Sequence, residues 1–485
     1  MSAGRLGWRT ALVVVVVVIA VVAAMVVIAG TRPESPAPRP AGSEPTVGTT
    51  ETGPTDLELA VFGSPEEIAA YQDVVDAYNE ESTASRVSLL TYPTAEELAS
   101  ALREGEISPS LYLLSREDLA DTLDNERNVP LLDLLDARGL NIGDDYSRDS
   151  VSAFSADDDL QCMPYASSPM VMYLNTDLVD FDAMAQRGLP VPEREHAGWS
   201  LDQFRAAAEF ASSPRRGVRG VYIEPTLEGL APFVLSGGGD VFNDTASPTS
   251  LALGEDDSTD AIRRTLEVLR DPQLTLSSEQ LERRSGLDWF EAGKVGMVAG
   301  YRDLTPELRE VTGLTFDVMP MPSLGSTDTV GQLLGVCLGA TGDQTSIGRA
   351  ADFLVYLVSD EAVSRVAETG YLQPTNLQVA FSEAFLQLGL PPAHAGVFTD
   401  TLRDINLMPL IDDYDEVEAL VGPQVRQLFT RPVLDDLDAR LDAIDERSRQ
   451  LLDPTLVTES PSESDASGAS DASGGSDASG GSTGG

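Results

Sequence analysis

The residues able to do chemistry are few in kind. The chain has two histidines, His196 and His394, and two cysteines, Cys162 and Cys337, against 79 carboxylates. Each histidine stands in a loop segment beside prolines, outside any metal-ligand spacing or nucleophile motif, so a structural or solvent-facing role is expected of it. The Gly237-Gly238-Gly239-Asp240 turn lacks a phosphate-loop lysine and hydroxyl, and Gly293-Lys294 runs on into Val295, so neither makes a nucleotide cradle. Asp157, Asp158 and Asp159 lack the alternating oxygen ligands of a calcium loop and read as a solvated turn. The reading is therefore of a chain with no catalytic set, no metal and no cofactor, not an enzyme, whose chemistry is recognition. A ligand with an apolar ring face and a belt of hydroxyls needs a flat ring to stack on and several polar groups fixed on a rigid frame. Tyr165, Trp289, Tyr301 and Tyr371 flank turns, and Ser64, Ser115, Ser168, Glu224, Asp240 and Gln332 supply polar groups, so these ten form the candidate ligand set. The two cysteines allow a single intramolecular pairing, with two buried free thiols as the alternative.

These side chains must be placed by a frame of alternating strands and helices. Residues 57–62 alternate like a first strand, Gly63-Ser64-Pro65 makes a turn, and Ile68, Tyr71, Val74, Val75 and Tyr78 repeat at helical spacing. Ser64 is the expected helix cap and Pro65 the first helical residue. Residues 86–92, 95–103 and 111–114 continue as strand, helix and strand, which predicts a parallel sheet covered on both faces. Ligands bind such sheets beyond the carboxyl ends of the strands, which puts Phe62, Gly63, Ser64, Ser115 and Arg116 on a candidate rim.

Further on, residues 170–174 form an apolar, aromatic run bounded by Pro169 and Asn175, the pattern of a strand buried on both faces. Residues 331–340 form a second such run and are expected to pair antiparallel with 170–174, so that two crossings make a hinge. Ser200 is the expected cap of a helix through Phe210, helices are expected at 227–235, 260–270, 349–358 and 360–369, and residues 382–452 read as wholly helical.

Composition bounds the function. With 485 residues the chain should hold two or three domain-sized units. A formal charge of −47, with Lys294 the only lysine, argues against binding nucleic acid or an anionic membrane surface. Arg5 and Arg9 precede an unbroken apolar run over residues 11–29, which as a helix would span roughly 28 Å, about one hydrocarbon core. Residues 1–30 read as a membrane anchor or as a signal peptide cut after Val27-Ile28-Ala29; the length of the run favours the anchor. Either puts the rest of the chain outside the cytoplasm. Residues 31–55, rich in Pro, Ser, Thr and Gly, read as a disordered linker, and 455–485, with Ser-Asp-Ala-Ser-Gly repeats, as a disordered tail.

The order of several strings over residues 56–453 resembles the extracellular solute-binding proteins, the maltose-binding-protein-like group that serves ABC importers. The strings are PYASSPMVMYLNTDL over 164–178, WSLDQF over 199–204, LSGGGDVF over 235–242, FEAGKVGM over 290–297, VMPMP over 318–322 and AADFLVYLVSDE over 350–361. The resemblance implies an α/β fold of the two-lobe, type II periplasmic-binding-protein-like kind, with hinge strands and a ligand cleft, behind the N-terminal transmembrane or signal helix. Its lobes would comprise 56–168 with 338–380 and 169–337 with 381–454. It further implies a small solute, a carbohydrate first among them, and ABC permease subunits as the partner. In that family a tryptophan commonly follows the glycine after the strand matching 295–299 and stacks on sugar; here that position is Tyr301. No cysteine follows the apolar run, so lipid attachment of the usual bacterial kind is not available. A ligand-binding module for a sensor or a cell-surface assembly is the alternative.

Overall fold

The computed structural model describes residues 53–457 apart from 141, 144, 412 and 413. The expected anchor or signal segment, the linker up to residue 52 and the tail beyond 457 lie outside the described residues. Among the described residues, no helix is long and apolar enough to cross a membrane.

Two sheets organise the chain. The first opens with β1, Thr55–Phe62, whose buried Leu57, Leu59, Ala60 and Val61 lie against α1, Pro65–Glu81. The turn between them is built for a helix start. The Ser64 hydroxyl accepts from Glu67 N–H, the Glu67 carboxylate accepts from Ser64 N–H, and Pro65 stands at the head of the helix. Gly63, at φ +146°, makes the turn possible, since a Cβ there would sit 2.8 Å from the Glu67 carboxylate. The strand β2, Ser85–Tyr92, pairs parallel with β1, and α2, Ala95–Arg103, follows under a Thr94 cap. The strand β3, Leu111–Ser115, pairs parallel with β1 on its other side. The short β4, Asn128–Val129, and β5, Met163–Pro169, complete this part of the chain.

The second sheet begins one residue later with β6, Val171–Asn175, all five residues of which are buried. The helix α3, Leu201–Ala211, carries the expected Ser200 cap as a capping box with Gln203. Then come β7, Arg219–Tyr222; α4, Leu227–Ser236; α5, Asp256–Leu269; β8, Val295–Gly300; and β9, Phe316–Pro320. The strand order is β9-β6-β8-β7, with β6 antiparallel to both neighbours. The chain then returns to the first sheet as β10, Gly331–Gly339, followed by α6, Gln344–Leu357, and α7, Asp360–Ala367.

Several expectations are corrected here. The run 331–340 does not pair with 170–174. It pairs antiparallel with β3 on one edge and with β5 and β4 on the other, so the first sheet is mixed rather than parallel. An apolar run records burial on both faces but not the neighbour, and 170–174 instead finds β8 and β9. The expected lobe boundary at 337/338 falls inside β10, every residue of which lies in a strand of the first sheet. The chain nevertheless passes between the sheets twice, at Met170 between β5 and β6 and over 321–330 between β9 and β10. Residues 382–452 are not wholly helical. Short helices occupy 383–386 and 396–401, and the long helices are only α8, Tyr414–Thr430, and α9, Leu437–Leu452, because Gly389, Pro391, Pro392, Pro409 and Pro432 interrupt the periodicity. Cys162 and Cys337, both fully buried, are joined in a disulfide one step beyond the Met163–Val336 pair, tying the start of β5 to β10.

Candidate ligand-binding cleft

A cleft of about 1480 Å³ opens where β1, β2 and β3 end. Phe62, Gly63, Ser64 and Glu67 reach it from the β1–α1 turn, Thr91 and Tyr92 from the end of β2, and Ser115, Arg116, Glu117 and Asp118 from the end of β3. Ser168 of β5 and Gly331, Gln332, Leu333 and Leu334 of β10 add the crossing strands. Asp303 and Glu307 follow β8, Tyr371 and Gln373 lie beyond α7, and Tyr414, Asp415 and Glu416 open α8. The cleft thus lies at the strand ends of the first sheet, in the place where open α/β sheets hold ligands, and takes Asp303 and Glu307 from the segment after β8.

Of the ten candidate ligand residues, the structure brings five into this lining: Ser64, Ser115, Ser168, Gln332 and Tyr371. The other five lie elsewhere, each for a local reason. Tyr165 is 1% exposed, within the core, with its ring 6.2 Å from that of Tyr71. Tyr301 is also buried and is held at both ends, its hydroxyl donating to the Glu228 carboxylate and its carbonyl accepting from the Tyr173 hydroxyl at 2.7 Å. The ring at the position where the resemblance implied a sugar-stacking aromatic therefore packs in the core. Trp289 donates its indole N–H to the Gln280 carbonyl and lies under the Arg284 guanidinium. Asp240 is exposed on the glycine turn, where its backbone exchanges hydrogen bonds with Ser258, and Glu224 is exposed just before α4.

Carboxylates dominate the electrostatics. Burial pushes the Glu117 carboxyl up to about 7, helped by Glu228, Asp415 and Asp118 around it, although Glu117 keeps contact with solvent. Asp118 rises to about 6 from the same two causes, burial and then neighbouring acids, against the opposing pull of Arg103. Glu67 is also raised, chiefly by burial and further by Asp303 and Glu66, while Asp303 itself is exposed to solvent. Arg116 stands beside Glu117 but is committed elsewhere, its Nε donating to the Ala153 carbonyl at 3.1 Å and its Nη1 to the Met408 carbonyl at 2.6 Å. Burial lowers its own pKa to about 10, so it stays charged.

Among the described residues, one cluster outside the cleft has metal-ligand residue types: His196, Asp317 and His394. His394 Nδ1 lies 2.6 Å from the Asp317 carboxylate, His196 Nδ1 lies 3.0 Å from the Val318 carbonyl, and the two rings stack with centroids 3.7 Å apart. Each Nδ1 thus faces an oxygen acceptor, and the ring faces lie against each other, so hydrogen bonds and stacking account for the meeting of the three side chains. The arrangement is a hydrogen-bonded stack. The sequence placed both histidines in structural roles but gave no sign that they meet.

The sequence profile of the bacterial extracellular solute-binding proteins matches residues 69–388. The chain belongs to that family. No curated protein matches this solute-binding protein at the level of sequence. Among solved structures, it is similar to the ABC substrate-binding protein Lmo0181 from Listeria monocytogenes in complex with cycloalternan, at 16% identity and TM-score 0.69, covering 83% of this chain and 99% of that one. It is similar to the GacH receptor of Streptomyces glaucescens, solved unliganded and with acarbose, at 16% identity and TM-score 0.64, covering 82% and 99%. It is likewise similar to maltose-bound MalE3 of T. maritima, at 14% identity and TM-score 0.64, covering 82% and 100%. At such identities the likeness is one of fold, the α/β fold of periplasmic binding proteins.

Several cleft residues of this solute-binding protein escaped the sequence reading. Glu117 and Asp118 lie one and two residues past the predicted rim at Arg116, so the strand-end rule, carried one turn further, would have found them. Glu67 was hidden in its capping role. Tyr414 and Asp415 were hidden in a segment read as continuous helix, and nothing local marks Asp303 or Gln373.

Proposed function

We propose that the protein captures a carbohydrate in this cleft at the outer face of the cell membrane and delivers it to the transmembrane subunits of an ABC importer. The observation that carries the reading is the cleft itself, a roomy space at strand ends of the first sheet that also draws lining from beyond the second. Membership of an extracellular solute-binding family supports it, as does the shared fold with proteins solved bound to cycloalternan and maltose. On this reading the two sheets are the cores of two lobes, with the passages at Met170 and 321–330 as the hinge. Ligand contacts to both lobes favour a closed form over an open one, and the closed form docks on the permease. No bond is made or broken. Ser64, Ser115, Ser168 and Gln332 offer hydrogen bonds to hydroxyls, and Tyr371 offers a ring. Residues 11–29 hold the protein at the membrane, or are removed to release it.

The test is a thermal-shift screen of the full chain against mono- and oligosaccharides, amino acids and polyols. A ligand at 100 times its dissociation constant should add about 2.7 kcal/mol to the native state. A shift confined to a saccharide series and weakened by Tyr371→Ala supports the reading. A shift with amino acids alone overturns the carbohydrate assignment.

A further inference from the structure

We propose that Arg302 is a positioning residue for the cleft: its guanidinium, buried beyond the end of the second sheet, fixes where Tyr371 presents its ring. The inference rests on the reading of the cleft as a ligand site. Arg302 is the second residue after β8, is fully buried and is not among the lining residues. Its Nε donates to the Gly370 carbonyl at 2.8 Å, and the next residue, Tyr371, lines the cleft. Its backbone N–H donates at 2.9 Å to the hydroxyl of Ser168, which lines the cleft from β5. The backbone of Arg302 is thus tied to the crossing strand, and its side chain reaches from there to the turn that carries Tyr371.

Packing alone does not account for a guanidinium at this place. A buried charge without a carboxylate costs stability, and an aliphatic side chain would fill the space between the Phe385 and Phe398 rings without that cost. Arg302 takes carbonyls instead, its Nη2 reaching that of Phe385 at 3.1 Å, and its Nη1 has no partner among the described residues. What the guanidinium adds is direction, since a planar fork held between two rings fixes where both carbonyls lie.

The backbone it grips is one that needs a grip. Gly370, at φ +88°, makes the left-handed turn between α7 and the segment that carries Tyr371, and glycine leaves such a turn free to pivot. Beyond Tyr371 the chain is held to β5, where the Gln373 carbonyl accepts from Ser167 N–H and Thr375 N–H donates to the Tyr165 carbonyl. Tyr371 therefore stands between a segment fixed on β5 and a glycine fixed by Arg302.

The test uses the full chain labelled with 3-fluorotyrosine, with the fluorine resonances of Tyr371 and Tyr92 assigned by their loss in Tyr371→Phe and Tyr92→Phe. Tyr92 lines the cleft from the end of β2 and serves as the control. Without ligand, Arg302→Met should shift or broaden the Tyr371 signal and leave that of Tyr92 in place. Arg302→Lys, able to hold one carbonyl but not both, should lie between parent and Arg302→Met. Should Arg302→Met not fold, Phe385→Leu, which strips one ring from the guanidinium and spares its carbonyl acceptors, should move the same signal. The second arm is titration with maltotriose below the melting temperature of every variant. Arg302→Met should weaken binding about tenfold or more in the parent and less than about twofold in Tyr371→Ala, because a residue that acts through Tyr371 then has nothing to act on. A Tyr371 signal unmoved in Arg302→Met and Phe385→Leu overturns the proposal, and so does an equal loss of affinity with and without the Tyr371 ring. No binding of maltotriose counts against the saccharide reading alone, and the Tyr371 signal then decides the role of Arg302.

Discussion

Glu117 is held in place against its own charge. Burial, then Glu228, Asp415 and Asp118, keep its carboxyl protonated up to about pH 7 in the folded protein, well above the ordinary value near 4.5. A carboxyl with a raised folded pKa binds its proton more tightly folded than unfolded, so its contribution favours folding at low pH and is lost as pH rises from about 4.5 through 7. Glu117→Gln should therefore leave the unliganded melting temperature unchanged at pH 4 and raise it at pH 8; a fall at pH 8 would mean that the anion stabilises the fold. His196 is shifted the other way. Burial lowers its pKa, and the stacked His394 lowers it further, against the Val318 carbonyl and Asp317. The stability it contributes is complete above the ordinary value of 6.5 and declines as pH falls below it. With only two histidines in the chain, NMR titration should show one imidazole titrating below pH 6.5, and His196→Gln should remove that resonance. Arg302 is the third charged residue in an unusual place. It is fully buried between the rings of Phe385 and Phe398, and donates to the Gly370 and Phe385 carbonyls without a carboxylate partner. A lysine cannot make this planar fork, so Arg302→Lys should lower stability by about 2–4 kcal/mol in urea unfolding with little change in slope.

At the scale of elements, the disulfide joins the residue just before β5 to β10, across 175 residues of sequence. Closing so long a loop restricts the unfolded chain, and the double substitution Cys162→Ala and Cys337→Ala should cost about 2–5 kcal/mol, read from urea unfolding of both forms in the same buffer. Equal midpoints would show that the bridge adds nothing. The sequence made some elements legible and not others, and the difference is physical. The β1–α1 unit could be read because Ser64 and Pro65 are local signals that fix a helix start wherever the segment lies. The strand 331–339 could be read as buried, but not its neighbours, since pairing is a property of the assembled sheet. The 382–452 segment was misread because apolar spacing persists across Gly389, Pro391 and Pro392 while the backbone does not. For the cleft, residues tied to strand ends, Ser64 and Ser115, could be read. Trp289 and Tyr301 could not be placed, because proximity to a turn does not reveal whether a ring faces a ligand or the core.

At the scale of the molecule, a net charge of −47 and an acid-lined cleft make one electrostatic object. Solute bound in the cleft, as proposed, would draw together the strand ends and α8 around it. Hydrogen–deuterium exchange of the full chain, with and without a saturating concentration of a saccharide that shifts its melting, tests this most directly. Exchange should slow in peptides covering residues 62–71, 113–118, 331–334 and 414–416. Binding that leaves these peptides unchanged and protects the 237–242 turn or the surroundings of Trp289 would contradict it.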